Sequence, residues 1–250
     1  LGAGAHYVLQ AKPAVFGGVE AEPNNAIGEA NTVPYGETVR AMLGKRRAAN
    51  EADIDFFEVT VPAGTASQLT LTALPNIPLC VQLMRKEATT PSGQYCTGRP
   101  GIDLDIPSLK LEAGAYYLAV IQDLDAYGDA RVPFVHENVS DEYTLRLGPS
   151  DGDPAFEHEP NDELASAEQL ALGATMTATL GWVKDVDVFC PKVSSSNAYQ
   201  FRVEDDGGRL GGAVLTVALA QPAAVGSAVR VHKKIEKPTA TDAASPYTTP

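Results

Sequence analysis

Two short acidic strings decide how this chain is divided: EHEPND at residues 157–162 and EAEPNN at residues 20–25. With Glu20 aligned on Glu157, the two copies keep one register for 25 residues without a gap, and ten positions are identical. Each copy then reaches a Leu-Gly pair and a second acidic string, ADIDFFEV at 52–59 and DVDVFCPKV at 185–193. The first copy takes five more residues to get there, at a point where a turn is expected and insertions are tolerated. The sequence therefore predicts an internal repeat.

Short apolar or alternating runs follow the second acidic string, and Gly, Pro, Asn and Asp separate them. They are rich in Val, Leu, Tyr and Thr and recur roughly every ten residues, which predicts an all-β sandwich. The helical candidate is the short stretch after each EPN motif, as in DELASAEQL at 162–170. The predicted strands are FFEVTV (56–61), QLTLTAL (68–74), LCVQLM (79–84), LKLEAGAYYLAVI (109–121), EYTLRLG (142–148), VDVFCPKV (186–193), AYQFRVE (198–204), AVLTVAL (213–219) and SAVRVHKKI (227–235).

Composition shifts mark the boundaries between the predicted units. PSDGDPAF at 149–156 is a Pro/Gly/Asp linker, and LGAGAHYVLQ at the start of the chain echoes LEAGAYYLAV at 111–120. The predicted segments are the possible end of a preceding copy (1–16), a β-sandwich (17–150), a second, incomplete β-sandwich (151–236) and a Pro/Thr-rich tail (237–250).

The charge of the chain narrows its possible partners. The formal net charge is −13 and the pI is near 4.7, which argues against nucleic acid, because phosphate binding needs clustered Lys and Arg. It argues equally against anionic membrane surfaces, and no run of apolar residues is long enough for a transmembrane helix. The charge suits divalent cations or cationic partners, or it serves solubility alone.

The three cysteines leave one choice open. Cys80 and Cys96 flank a turn-rich segment, TTPSG at 89–93, and either close a loop by a disulfide or remain reduced thiols. Cys190 has no evident partner and reads as a small core residue. No CxxC occurs and the histidines are scattered, so the sequence does not indicate a zinc site.

The order of these motifs resembles a known family. ExEPN[ND], a Leu-Gly turn, DxDxF, then LEAGAYYLAV (111–120) and YTLRL (143–147), is similar to the bacterial pre-peptidase C-terminal domain and to the collagen-binding modules of clostridial collagenases. The resemblance covers residues 20–148 and the first half or more of a second copy from residue 157. It implies tandem jelly-roll-like β-sandwich domains, non-catalytic, appended to secreted proteases and other exported enzymes, and often calcium-binding near the domain entrance.

The spacing of the acidic residues agrees with a calcium site. Side chains at i and i+2 of an extended segment point the same way, so Glu20 and Glu22 share one face, as do Asp53 and Asp55. Four carboxylates brought near one point repel each other unless a divalent cation neutralises them. Calcium takes about six to eight oxygen ligands in irregular geometry. The resemblance carries the ligand role to Glu20, Glu22, Asn24, Asn25, Asp53 and Asp55 and, in the second copy, to Glu157, Glu159, Asn161, Asp162, Asp185 and Asp187.

A simpler interpretation of the same residues stays open. The EPN motif could be an N-cap and turn, with Asn24 or Asn161 capping a short helix. Asp55 and Asp187 could cap turns without any metal.

The sequence indicates no enzyme in this chain. It contains no HExxH, P-loop or GxGxxG motif. We therefore expect a non-catalytic extracellular binding module, secreted, periplasmic or at the cell surface, whose partner is an extracellular polymer (protein or polysaccharide) or a covalently linked catalytic domain. The alternative is a structural spacer of an exported surface protein with no ligand of its own.

Overall fold

The structure is a computed structural model. Its regular elements, in the part of the protein that it describes, are β-strands and two short 3₁₀ helices. This confirms the all-β prediction. The predicted strand at 198–204, the segment 1–16 and the tail 237–250 lie outside the described residues. Among the described helices, none is long and apolar enough to cross a membrane. The structure describes residues 17–64, 66–127, 135–153, 155–182, 184–191, 214–220 and 228–234.

Nine strands form two facing sheets that make up one β-sandwich. The five-stranded sheet has the order β1-β3-β8-β5-β6 and the four-stranded sheet the order β2-β9-β4-β7. Only the β1–β3 pair is parallel; the other pairs in these two sheets are antiparallel. In chain order the strands are β1 (Asn31–Thr32), β2 (Thr38–Ala41), β3 (Asp55–Val61), β4 (Ser67–Leu71), β5 (Leu79–Arg85), β6 (Gly93–Cys96), β7 (Leu104–Leu109), β8 (Gly114–Gln122) and β9 (Tyr143–Pro149).

Alternation along the strands builds the core between the two sheets. In β3, every second residue from Asp55 to Val61 is buried, and those between are half-buried or exposed. Phe57 is fully buried, as are Leu69 of β4 and Leu118 of β8. Period-2 patterning of this kind buries one face of each sheet. Asp55 lies in phase with the apolar residues, so the chain places a carboxylate at the end of its own core.

A third sheet follows the sandwich. Its strand order is β10-β11-β13-β12, with β10 parallel to β11 and the remaining pairs antiparallel. The β10–β11 pairing repeats the β1–β3 pairing of the first copy, since Glu168 is opposite Phe189 as Asn31 is opposite Phe57. Division of the chain into two domains stays a prediction. The strands are β10 (Glu168–Leu170), β11 (Val186–Pro191), β12 (Val214–Ala220) and β13 (Ala228–Lys234).

Two predicted elements differ in the structure, which also contains β1, β2, β6 and β10 where no strand was predicted. The long strand predicted over 109–121 is divided between β7 and β8, because a bend at residue 113 leads into Gly114, whose φ of 147° suits glycine. The helical turn predicted within 162–170 is wrong: turns lead directly into β10, because parallel pairing with β11 outweighs the helix propensity of this short segment. In the first copy a 3₁₀ helix spans Ile27–Glu29.

The structure contains a disulfide between Cys80 and Cys96. The two cysteines lie opposite each other on β5 and β6, which form a hairpin around the turn-rich segment. Cys190, on β11, is free and half-buried.

We expect the double variant Cys80→Ser/Cys96→Ser to lose about 3 kcal/mol of stability, because the bridge restricts the unfolded chain across a loop of this length. Equilibrium urea unfolding measures this loss, with Cys190→Ser as the matched control that keeps the disulfide. A double variant as stable as the wild type would contradict the expectation.

Candidate metal centre

The first acidic string and the start of β3 meet at one end of the sandwich. The main chain of residue 20 runs beside β2, where the Glu20 N–H donates to the Arg40 carbonyl at 2.9 Å. Asp55, the first residue of β3, points into the core. Carboxylate oxygens of Glu20, Glu22 and Asp55 all lie within 4.8 Å of one another. The structure thus brings together three residues that the sequence predicted to share a site, and we call them the first cluster.

The second acidic string makes the same arrangement with β11. Carboxylate oxygens of Glu157, Glu159 and Asp187 also lie within 4.8 Å of one another, and all three residues are buried. We call these three residues the second cluster. His158 points to the other side, as alternation predicts, with its Nδ1 3.6 Å from Glu168 Oε2.

The first glutamate of each string is held by a main-chain donor. The Met42 N–H donates to Glu20 Oε1 at 2.6 Å, and the Thr179 N–H donates to Glu157 Oε1. Met42 and Thr179 occupy the same position of the repeat. The repeated sequence therefore repeats its hydrogen bonds, which fix one oxygen of each glutamate and leave the other facing its cluster.

The asparagine of each EPN motif ties the two glutamates together. Its N–H donates to the second glutamate, from Asn24 to Glu22 at 2.9 Å and from Asn161 to Glu159 at 2.8 Å. Its Nδ2 donates to the first glutamate, at 3.2 Å for Asn24 and 2.9 Å for Asn161. Both asparagines are fully buried, and the preceding Glu-Pro peptide bond is cis in both copies. The amide oxygen of each asparagine receives no hydrogen bond from the described part of the chain.

Several buried oxygens around the clusters have no hydrogen-bond donor among the described residues. Such groups are uncommon, because most buried polar atoms in proteins are paired with protein or water. Six of the seven such side-chain atoms are oxygens at the two clusters, the ligand type that calcium prefers, and the seventh is Nδ1 of His158 on the other side of the second string. The six oxygens are Asn24 Oδ1, Asp55 Oδ1, Glu159 Oε1, Asn161 Oδ1, Asp185 Oδ1 and Asp187 Oδ1.

The first aspartate of each DxD string holds the Leu-Gly turn. The Gly44 N–H donates to Asp53 Oδ2 at 2.7 Å, and the Gly181 N–H donates to Asp185 Oδ2. A Cβ at residue 44 would lie 3.0 Å from Asp53 Oδ2, so glycine permits this close approach. Asp53 and Asp185 lie outside the closest sets of three carboxylates, although the second oxygen of Asp185 has no donor among the described residues.

The residue after each EPN motif also contacts main chain. The Ile54 N–H donates to Asn25 Oδ1 at 3.5 Å, and the Val186 N–H donates to Asp162 Oδ1 at 3.3 Å. Asp162 lies outside the closest set of three carboxylates. These two predicted ligands border the clusters and cap the DxD strings.

Burial governs the charge state of the first cluster. Burial, with a smaller contribution from neighbouring carboxylates, raises the pKa of Glu20 to about 7 and that of Asp55 to about 9. Hydrogen bonds from Met42 and Tyr143 partly offset these increases. Among the described residues, no Lys, Arg or His nitrogen lies within 4.0 Å of the Glu20, Glu22 or Asp55 carboxylates. The cluster therefore lacks a protein cation to balance it.

The pKa values of the second cluster are raised further above their ordinary values than those of the first. Burial, followed by repulsion among the carboxylates, raises the pKa of Glu159 to about 9 and that of Asp187 to about 10. Burial is also the main cause for Asp185, with a pKa of about 8, and for Glu157, with a pKa of about 7. So many buried carboxyl groups at one point are stable only if they are protonated or bound to a cation.

Sequence reasoning missed two tyrosines. The Tyr143 hydroxyl, from β9 of the opposite sheet, donates to Asp55 across the sandwich and is fully buried. Tyr95 of β6 lies near the second cluster: burial raises its pKa, and so do the carboxylates of Glu159, Asp162 and Asp185. Alternation marks both tyrosines as core residues, but no sequence signal shows which carboxylate each one meets.

No protein-family model matches the chain, and no curated protein matches it. Among solved structures, the chain is similar to the pre-peptidase C-terminal domain of a collagenase from Bacillus anthracis, with 16% sequence identity and a TM-score of 0.34. The similarity covers 50% of this chain and 99% of that domain. That domain has the family name that the sequence motifs resemble.

Proposed function

We propose that this chain is a non-catalytic accessory module of an exported protein and that each of its two acidic clusters binds a calcium ion. The observation that carries the proposal is the set of buried oxygens without donors, found at equivalent places in both copies. A cation would satisfy these oxygens and neutralise the carboxylates together, whereas an N-cap would leave them unexplained.

The chemistry of the donors favours calcium over a transition metal. All candidate ligands are carboxylate or amide oxygens, and neither cluster contains an imidazole or thiol. In the first site we propose Glu20, Glu22, Asn24 and Asp55 as ligands, with Asp53 and Asn25 supporting them. In the second site we propose Glu157, Glu159, Asn161, Asp185 and Asp187, with Asp162 as the supporting residue.

The accessory role rests on the resemblance of the motifs and on their setting in a β-sandwich. Modules of this kind are appended to secreted proteases, so a covalently linked catalytic domain or an extracellular polymer is the proposed partner. The proposed location is outside the cell, in the periplasm or at the cell surface.

A structural spacer is the second candidate, and the aromatic residues favour it. A module that binds a polymer commonly exposes aromatic side chains on its surface. Here five of the aromatic side chains are buried: Tyr95, Tyr116, Tyr117, Tyr143 and Trp182. Co-sedimentation with insoluble protein fibres and with insoluble polysaccharides separates the two candidates. Retention on either polymer supports targeting, and no retention on both supports the spacer.

Calcium is expected to raise the midpoint of thermal unfolding of the full chain relative to excess chelator. A ligand that binds only the native state adds about 2.7 kcal/mol at a hundred times its dissociation constant. Differential scanning calorimetry of the wild type, Glu22→Gln, Glu159→Gln and the double variant measures the contribution of each site.

Each single variant is expected to lose part of the calcium-induced rise, and the double variant most of it. Asp151→Asn, an exposed change away from both clusters, is the control that should keep the full rise. If the wild-type midpoint is the same in calcium and in chelator, the calcium proposal is wrong. The acidic strings would then serve only as helix caps and turns.

A further inference from the structure

The second acidic string contributes to the sandwich that precedes it. The Glu159 N–H donates to the Ser108 carbonyl at 2.7 Å, and the Lys110 N–H donates to the Glu159 carbonyl at 2.6 Å. Residue 159 thus pairs in parallel with Leu109, at the end of β7. An ion pair of 3.3 Å between Lys110 and Glu168 adds a side-chain contact. The string extends the four-stranded sheet beyond its edge strand.

The single tryptophan of the chain completes this contact. Trp182 is only 7% exposed and belongs to the same hydrophobic core as the sandwich residues. Its ring meets Tyr95 of β6 edge to face, with 4.8 Å between the ring centroids. The indole therefore closes the side of the sandwich on which the edge strands β6 and β7 lie. A residue of the second copy serves as a core residue of the first.

The same short segment also builds the second cluster. Asp185 accepts from the Gly181 N–H, and the Asp185 N–H donates to the Trp182 carbonyl at 3.4 Å, so the aspartate holds the turn that carries the indole. Glu159 supplies a carboxylate to the cluster and its main chain to the β7 pairing. The carboxylates of Glu159 and Asp185 are near enough to Tyr95 that their charges help to raise its pKa. Docking of the indole and assembly of the cluster therefore depend on the same two residues, Glu159 and Asp185.

Among the described residues, the first cluster has no such connection to a preceding unit. Lys45 occupies the position of the repeat that Trp182 occupies in the second copy, and it is exposed. Within the described residues, the hydrogen bonds of Glu20 and Asp55 lead to the sandwich itself, to Arg40 and Tyr143. The first cluster is thus an internal control for the second.

We propose that the second cluster is a joint: a cation bound there holds residues 157–191 against the β6–β7 side of the sandwich with Trp182 in its core, and loss of the cation releases this contact. The inference rests on the proposed function, because it requires a cation at the second cluster. The physical reason is that uncompensated, buried carboxylates repel one another and gain hydration when the segment moves away from β7. Reciprocity then requires that docking strengthen cation binding at this cluster and not at the first.

The test combines tryptophan fluorescence with calorimetric calcium titration of the full chain. On chelation we expect the Trp182 emission to move to longer wavelength and its quenching by acrylamide to rise, and calcium should reverse both changes. Glu159→Gln should abolish the calcium response of the emission. Its matched variant in the first copy, Glu22→Gln, should preserve that response.

A change on the sandwich side tests the coupling without altering residues 157–191. Tyr95→Leu keeps an apolar core residue but removes the ring that Trp182 contacts. We expect it to weaken calcium binding at the second cluster on the order of tenfold and to leave binding at the first unchanged. Equal calcium affinity at the second cluster in Tyr95→Leu and wild type would overturn the joint.

The calorimetric trace separates failure of the joint from failure of the proposed function. If calcium binds at two sites and the Trp182 emission does not move, the joint is wrong and the calcium proposal stands. If the titration shows no calcium binding at all, both are wrong.

Discussion

In excess chelator at pH 7, Asp55→Asn is expected to raise the free energy of unfolding, and in saturating calcium the same change is expected to lower it. Burial raises the pKa of Asp55 to about 9, so without a cation the native state keeps this carboxyl protonated at pH 7. The unfolded chain ionises it, because pH 7 lies about three units above the ordinary pKa of Asp. Each unit corresponds to about 1.4 kcal/mol, so the native state is disfavoured by on the order of 4 kcal/mol.

Asparagine has nearly the same shape and does not ionise, so the variant removes this penalty. Its Oδ1 can still accept from Tyr143, which donates to Asp55 in the wild type. In calcium the variant lacks a charged ligand at the first cluster. It should therefore lose most of the stability that calcium binding at this cluster adds, about 2.7 kcal/mol when calcium is at a hundred times its dissociation constant. Urea unfolding in the two buffers measures both effects, with Asp151→Asn as the neutral control. A change of the same sign in both buffers would contradict a cation at this cluster.

The pH dependence of stability is expected to reverse between chelator and calcium. The native pKa values of Glu20 and Glu157 are about 7, and those of Asp55, Glu159 and Asp187 are about 9 to 10. All are raised above the values of the unfolded chain, roughly 4. In chelator the native state therefore holds more protons than the unfolded state, and stability falls as pH rises.

The size of this effect follows from the same linkage. Each carboxyl that is protonated only in the native state lowers the free energy of unfolding by about 1.4 kcal/mol per pH unit. The effect is fully present as stabilisation near pH 4 and is lost as pH rises through 7 to 10. With calcium, protons compete with the ion, so stability should instead rise from pH 5 to pH 8. Thermal unfolding midpoints from pH 5 to pH 8 in both buffers provide the measurement. If the midpoint changes with pH in the same way in both buffers, a bound cation is contradicted.

The core of each cluster could be predicted because it depends on local geometry and on repetition. Alternation in an extended string places Glu20 and Glu22 on one side, and the repeat shows that the spacing is retained. Alternation in β3 likewise predicts that Asp55 shares a face with Phe57. These inferences need only the period of the chain, and the structure brings the three carboxylates together.

The remainder depends on long-range pairing, which the sequence does not encode locally. The Tyr143 hydroxyl reaches Asp55 from the opposite sheet, and residues 88 apart in sequence carry no pattern that links them. Asp53 and Asn25 appear equivalent to the ligands in a motif, yet the fold assigns them to main-chain donors. In the sequence, Trp182 follows a predicted turn and gives no sign of being buried. It becomes a core residue because it packs against the β6–β7 side of the sandwich.

The parallel pairing of residue 159 with β7 also bears on solubility. An edge strand with unpaired main-chain groups is a template for pairing with other chains, and natural proteins cover or charge such edges. Residue 159 provides that cover at the end of β7, where it pairs in parallel with Leu109. A shorter chain that stopped at residue 150 would expose this edge together with the apolar side that Trp182 fills. The start of the second predicted unit thus protects the first unit against self-association, independently of any ligand.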